Sequence, residues 1–298
     1  MFGKTSKATQ LILTSCSTTG GAGGTTTTVS SLAELTAAAA IEEPMVIYVS
    51  GMISGPADKV DVSSDTSIIG LNSDSGMSEV GLSIDSVSNV IVQNLAISKV
   101  VAENGDAILI QESTNVWVDH CDLSSDLDGQ PDKDYYDGLL DITHGADWIT
   151  VSNTYFHDHW KASLVGNSDS TGDEDSGHLH VTYANNHWYN VNSRTPSLRF
   201  GTGHVINSYY EKIVDSGANT RQGAQILIES TVFVDSGNPV THEDEGETGY
   251  AMLNDVDLGG GENDAPEGNL TVEYEYELLG SENVKAAVVG VAGNTLSF

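Results

Sequence analysis

The chain has 298 residues with 11 basic and 43 acidic side chains, a formal net charge of −32 at pH 7. That length is ample for a buried core, while 39% apolar residues, 31 glycines and 6 prolines exclude collagen, coiled-coil and disulfide-scaffold classes. Charge of this sign repels a phosphate backbone, so no nucleic-acid partner is expected, and no apolar run approaches a membrane span.

In chain order, residues 1–18 read as a variable or processed leader and residues 19–298 as one domain. Lys4 and Lys7 precede Leu11-Ile12-Leu13, a patch shorter than the apolar stretch of a secretory signal. Residues 19–28 are Gly- and Thr-rich low-complexity chain. Ser31-Leu32-Ala33-Glu34 fits a capping box, and Leu32, Leu35, Ala38 and Ala39 share one face, which predicts a helix to about Ile41. Strands are expected over residues 46–49, 68–69, 90–97, 116–123, 148–156, 178–189, 204–213 and 224–234. Residues 235–268 read as acidic loop, and residues 269–279 as a late strand packing back on the body. Cys16 and Cys121 allow one disulfide, whose pairing the sequence leaves open.

The strands repeat. A polar residue, two others and then an apolar or aromatic one begin at Asn94, His120, Asn153, Asn186, Asn207 and Ser230, at spacings of 26, 33, 33, 21 and 23 residues. Such periods indicate a solenoid or a propeller, and the uneven lengths favour coils that each carry their own loop. The expected fold is all-β: a right-handed parallel β-helix with a short N-terminal capping helix that covers the open end. An antiparallel sandwich is the alternative.

Coiling brings distant residues together. Lys161 follows Asn153 by eight residues and Arg194 follows Asn186 by eight, so this register stacks the two about one strand spacing apart, roughly 4.8 Å. Two such cations in a carboxylate-rich chain call for an anion between them. The three arginines, Arg194, Arg199 and Arg221, all fall within residues 194–221. Asp137 and Asp141 flank Gly138, and Asp106 precedes them by about one coil; oxygen donors from two coils suit Ca²⁺. The histidines in His157-Asp158-His159 and His178-Leu179-His180 lack a third ligand at a recognisable zinc spacing and read as surface or inter-coil hydrogen-bonding groups. Trp160, beside Lys161, is the one tryptophan placed to touch a ligand.

At these residues the chain closely resembles the pectate lyases, in their fungal-type extracellular branch. The resemblance lies in Asn115-Val116-Trp117-Val118-Asp119-His120, residues 132–143 and 151–170, Val181-Thr182-Tyr183, Arg194-Thr195-Pro196-Ser197-Leu198-Arg199 and Asn219-Thr220-Arg221-Gln222-Gly223. It implies a secreted monomer that uses Ca²⁺ to cleave α-1,4-linked polygalacturonate by β-elimination. It also implies Asp106, Asp137 and Asp141 as calcium ligands, Arg194 as base, and Lys161 and Arg199 as partners of uronate carboxylates, with Arg221 and Trp160 alongside. A further calcium aspartate of some relatives is Asn104 here, and Lys161 is the alternative base, since lysine is more easily tuned. A pectin lyase acting on methyl-esterified polymer, and a polygalacturonase using two carboxylates and water, are the alternative activities.

Overall fold

The computed structural model describes residues 18–127, 131–242 and 246–298. Cys16 and all of the leader but Thr18 lie outside the described residues. Cys121 is buried with a free thiol.

From Thr25 onward the chain winds through three parallel ladders. The first runs through Met45–Val49, Thr66–Gly70, Ser88–Gln93, Thr114–Asp119, Asp147–Ser152, His180–Ala184 and Thr202–Ile206 to Gln225–Val234. The second stacks Ala96–Ser98, Asp122–Ser124, Tyr155–Lys161, His187–Ser193 and Tyr209–Ile213. The third stacks Ile108–Gln111, Leu140–Thr143, Leu164–Val165, Ser197–Arg199, Ser216–Arg221 and Asn238–His242. Among the described residues every pairing between strands is parallel, with antiparallel contacts confined to the isolated bridges Val101–Tyr136 and Arg221–Thr248, which makes this the expected β-helix and excludes the sandwich.

Most of the longer predicted strands contain a corner. Residues 90–97 split at Asn94 into two strands on different ladders, and residues 204–213 split likewise at Asn207. The corner residue sits in the left-handed region: φ is 57° at Asn94, 48° at His120 and Asn153, 57° at Asn185, 51° at Asn207 and 44° at Ser230. Asparagine tolerates that region because its short amide bonds locally, which is why the repeat reads as an asparagine ladder.

One member of the repeat is corrected. The corner is Asn185, not Asn186; the Asn186 side chain is buried, accepting from Thr154 N at 2.8 Å and donating to Val151 O at 2.9 Å. The inward column is therefore Ile97, Leu123, Phe156, Trp188, Tyr210 and Phe233, each in register with the next. Its aromatic members stack, with ring centroids 4.0 Å apart for Phe156–Trp188, 5.7 Å for Trp188–Tyr210 and 4.3 Å for Tyr210–Phe233. All four are fully buried; stacked aromatics of this size dominate the energetics of a core.

The predicted cap forms at Leu32–Ala39. Ser31 Oγ accepts from Glu34 N at 3.4 Å, while Glu34 Oε2 reaches back to Ser30 N at 2.9 Å. Leu35 is fully buried, and Leu32 packs at the edge of the core. At the other end the expected strand over residues 269–279 has no ladder pairing, and a helix, Ser281–Val288, follows it. This helix buries Val284 and Val288 against Tyr209, Val232 and Val234.

Candidate active site

The catalytic candidates lie where the second ladder turns into the third. These turns range from a few residues to the long loop between Asp122–Ser124 and Leu140–Thr143, so each coil presents a different polar edge.

Two carboxylates converge beneath that edge. Asp106 is buried and accepts from Gly138 N at 2.7 Å; Asp141, also buried, accepts from Leu164 N at 2.9 Å. A β-carbon at position 138 would lie 2.3 Å from Asp141 Oδ1 and 2.8 Å from Asp106 Oδ1, so glycine is what leaves the space between them open. Burial, reinforced by the Asp137 charge, pushes the Asp106 carboxyl up to about 7. Burial and the Asp106 charge push Asp141 well up too. Two desolvated carboxylates facing one another are costly unless a cation or proton joins them. Asp137 is more exposed and turns to Lys161 Nζ at 3.4 Å. Among the described residues no three His, Cys, Asp or Glu side chains close into a metal-ligand set.

Two cations, Lys161 and Arg194, lie within electrostatic reach of this pair. Lys161 Nζ donates to Asp134 Oδ1 at 2.8 Å as well as to Asp137. Its register partner is Ser193, so the expected stacking of Lys161 on Arg194 is off by one residue. The cause is the same Asn185/Asn186 ambiguity, since adjacent asparagines let the repeat be counted one residue too long. Arg194 follows directly, at φ 62°, beyond the end of His187–Ser193. Its charge acts to lower the carboxyls of both Asp106 and Asp141. Among the described residues its guanidinium makes no hydrogen bond or ion pair, unlike those of Arg199 and Arg221.

Arg199 and Arg221 are directly opposite one another in the third ladder. Asp169 bridges them, accepting from Arg199 Nε at 2.6 Å and from Arg221 Nη2. Sequence reasoning missed Asp169, because a 30-residue separation from Arg199 carries no local pattern. Trp160 is turned to the neighbouring loop, its Nε1 donating to Leu127 O at 3.3 Å. His159 is buried with Nδ1 2.6 Å from Ser125 Oγ, and burial pushes it down to about 4, so it stays neutral. His157 lies between Asp122 and Asp158, and His180 meets Asp147 at 2.7 Å, as expected of hydrogen-bonding histidines. Asn104 and Asp106 line a depression of about 260 Å³, and Asp132 and Asp134 border another of about 540 Å³.

A parallel β-helix with two buried acids beside Lys161 and Arg194 at one turn, and with Arg199 and Arg221 paired in the next ladder, fits the class of β-helical enzymes that act on acidic polysaccharides. A pectate lyase family profile matches residues 4–295. The chain is 61% identical over 267 residues to pectate lyase A of Aspergillus niger, covering 89% of this chain and 81% of that protein. It is 62% identical to pectate lyase B of Colletotrichum gloeosporioides over 89% and 80% of the two chains. Among solved structures it is similar to a Bacillus sp. N165 pectate lyase in complex with trigalacturonate. There the TM-score is 0.83 at 30% identity, over 93% of this chain and 95% of that one. The chain belongs to the pectate lyase family and is a polysaccharide lyase.

Proposed function

We propose that the enzyme cleaves α-1,4-linked polygalacturonate by calcium-assisted β-elimination at the edge that joins Asp106, Asp141, Lys161, Arg194 and Arg199. The observation that carries this reading is the pairing of two buried, mutually repelling carboxylates with an uncommitted arginine whose charge reaches both. The oxygen-only donors and the open space beside Gly138 fit a hard cation such as Ca²⁺. Asp106 and Asp141 would hold it, with Asp137, which borders them beside Lys161, as the third acid. Bound there, Ca²⁺ supplies Lewis-acid neutralisation of the uronate carboxylate.

The protein's own groups do the rest. Removing the C5 proton of a uronate puts a second negative charge beside the carboxylate, and preorganised cations offset it. Lys161, engaged as a donor by Asp134 and Asp137, is set up as such a cation rather than as a base. Arg199 meets a uronate carboxylate through Nη2, its Nε and Nη1 being engaged by Asp169 and Gly166 O. Arg194 is the base, taking the C5 proton as the C4 glycosidic oxygen departs. Arginine resists deprotonation, which makes the role of Arg194 as base the step that its replacement tests most directly. The relatives' fungal origin supports secretion, and no helix among the described residues is long and apolar enough to cross a membrane.

The product carries a conjugated double bond, so ultraviolet absorbance follows the reaction directly. Arg194→Lys should lose about 10²-fold or more in turnover, the usual weight of a general base, with an unchanged melting temperature. A chelator should abolish the absorbance in the parent enzyme. Full turnover in the lysine variant removes arginine from proton transfer, and chelator-resistant activity removes the metal.

A further inference from the structure

Arg199 and Arg221 occupy directly opposed positions on adjacent strands of the third ladder, where strands lie roughly 4.8 Å apart. Two guanidiniums at that spacing repel, and long side chains have the freedom to splay apart. The loop after Leu164–Val165 prevents this. Its Asp169 carboxylate takes Arg199 Nε on one oxygen and Arg221 Nη2 on the other. Arg199 Nη1 donates to Gly166 O of the same loop at 3.1 Å.

The loop is itself fixed. Ser168 N donates to Thr171 Oγ1, Ser170 N donates to Ser168 Oγ, and Thr171 Oγ1 bonds Asp175, which is buried. Gly166 sits at φ 87° with Arg199 Cβ pressed close to where a side chain would begin. Among the described residues these bonds account for the polar contacts of Arg199, leaving its Nη2 for an incoming carboxylate.

We propose that Asp169 is a positioning residue of the lyase: it holds Arg199 and Arg221 in one fixed fork, so that Arg199 meets the uronate carboxylate already oriented. This rests on the reading of Arg199 as a substrate contact. Asp169 touches no reacting atom; it removes the orientational freedom that the arginines would otherwise lose on binding. Sharing one acid between two guanidiniums also leaves the pair a net positive charge, which suits a polyanionic substrate in a chain of net charge −32.

A double-mutant cycle tests it on the calcium-loaded enzyme, with kcat and KM measured on polygalacturonate and thermal melting as the folding control. Asp169→Asn should raise KM roughly tenfold, the worth of a charge-assisted hydrogen bond, with kcat changed far less. Asp169→Glu should recover part of that loss. Arg199→Ala should raise KM as well, and adding Asp169→Asn to it should cost little more, because the two act as one unit. If Arg199→Ala raises KM and Asp169→Asn does not, the proposal fails while the substrate contact stands. A lowered KM in Asp169→Asn would make the aspartate a competitor of the substrate and overturn the proposal. If Arg199→Ala leaves KM unchanged, the reading of Arg199 itself fails.

Discussion

Gly138 shows how much a single missing side chain decides. Its amide hydrogen bonds Asp106, and the space where its β-carbon would sit is bordered by Asp106 and Asp141 oxygens. Gly138→Ala should therefore fill the space proposed to hold calcium, at an overpacking cost of about 1–3 kcal/mol. Calcium titrated calorimetrically should bind about tenfold or more weakly to this variant, with the apo-protein melting several degrees lower but still cooperatively. Unchanged affinity would place the cation elsewhere. The same scale holds the sequence reading's one-residue error. Asn185 and Asn186 are chemically identical, and only the positive φ of Asn185 marks it as the corner.

At the scale of elements, the corner residues do a second job that their spacing did not reveal. Asn207 donates to Glu277 O at 2.9 Å and accepts from Leu279 N at 3.0 Å. Asn94 clasps Leu296 in the same two-way manner, at 3.1 and 2.9 Å. Ser230 accepts from Gly280 N, and Asp255 accepts from both Ser281 N and Ser281 Oγ at the start of the last helix. The last thirty or so residues are thus belted along the corner ladder, back from late coils to early ones. Further up the belt, Tyr274 bonds Thr182 and His204, and Tyr276 bonds Glu229. Asn207→Gly keeps the left-handed backbone while deleting both belt bonds, so it should cost about 2 kcal/mol, about one for each hydrogen bond. Hydrogen exchange should show the Leu279 amide losing protection while amides of Tyr209–Ile213 keep theirs. Loss spread equally over both would mean that the belt and coil are one cooperative unit.

Over the whole molecule, stacking makes every coil depend on its neighbours, and buried acids link that stack to pH. Asp119 is buried, yet it accepts from Ser152 Oγ at 2.7 Å, Asn153 Nδ2 at 2.9 Å and Gln93 Nε2 at 2.8 Å, and meets His120 at 2.8 Å. Burial raises its carboxyl, but these bonds and the His120 charge outweigh it and hold Asp119 below its ordinary value of 3.8. A carboxylate held low in the fold contributes stability above its unfolded pKa and loses it as pH falls through the folded one. Parent and Asp119→Asn should therefore differ most near neutrality and converge as pH drops below about 4. Acid also relieves the repulsion of a chain with net charge −32, but that change is nearly common to both proteins and cancels in their difference. Melting curves between pH 7 and 3 test this; a constant gap across that range would remove Asp119 from the acid response.

The repeat of corner residues and the capping box are local patterns, and they determined the β-helix and its cap; the class of chemistry was carried by the motifs that resemble the pectate lyase family. A solenoid is legible in this way because each coil repeats the same corner and the same inward column. The short strands of the third ladder and the Asp169 bridge have no such period. They arise from loops of unequal length that meet only after the coils have stacked. Contacts between such loops depend on register to a single residue, and register is set by φ at the corners and by packing of the inward column, which only the tertiary structure decided.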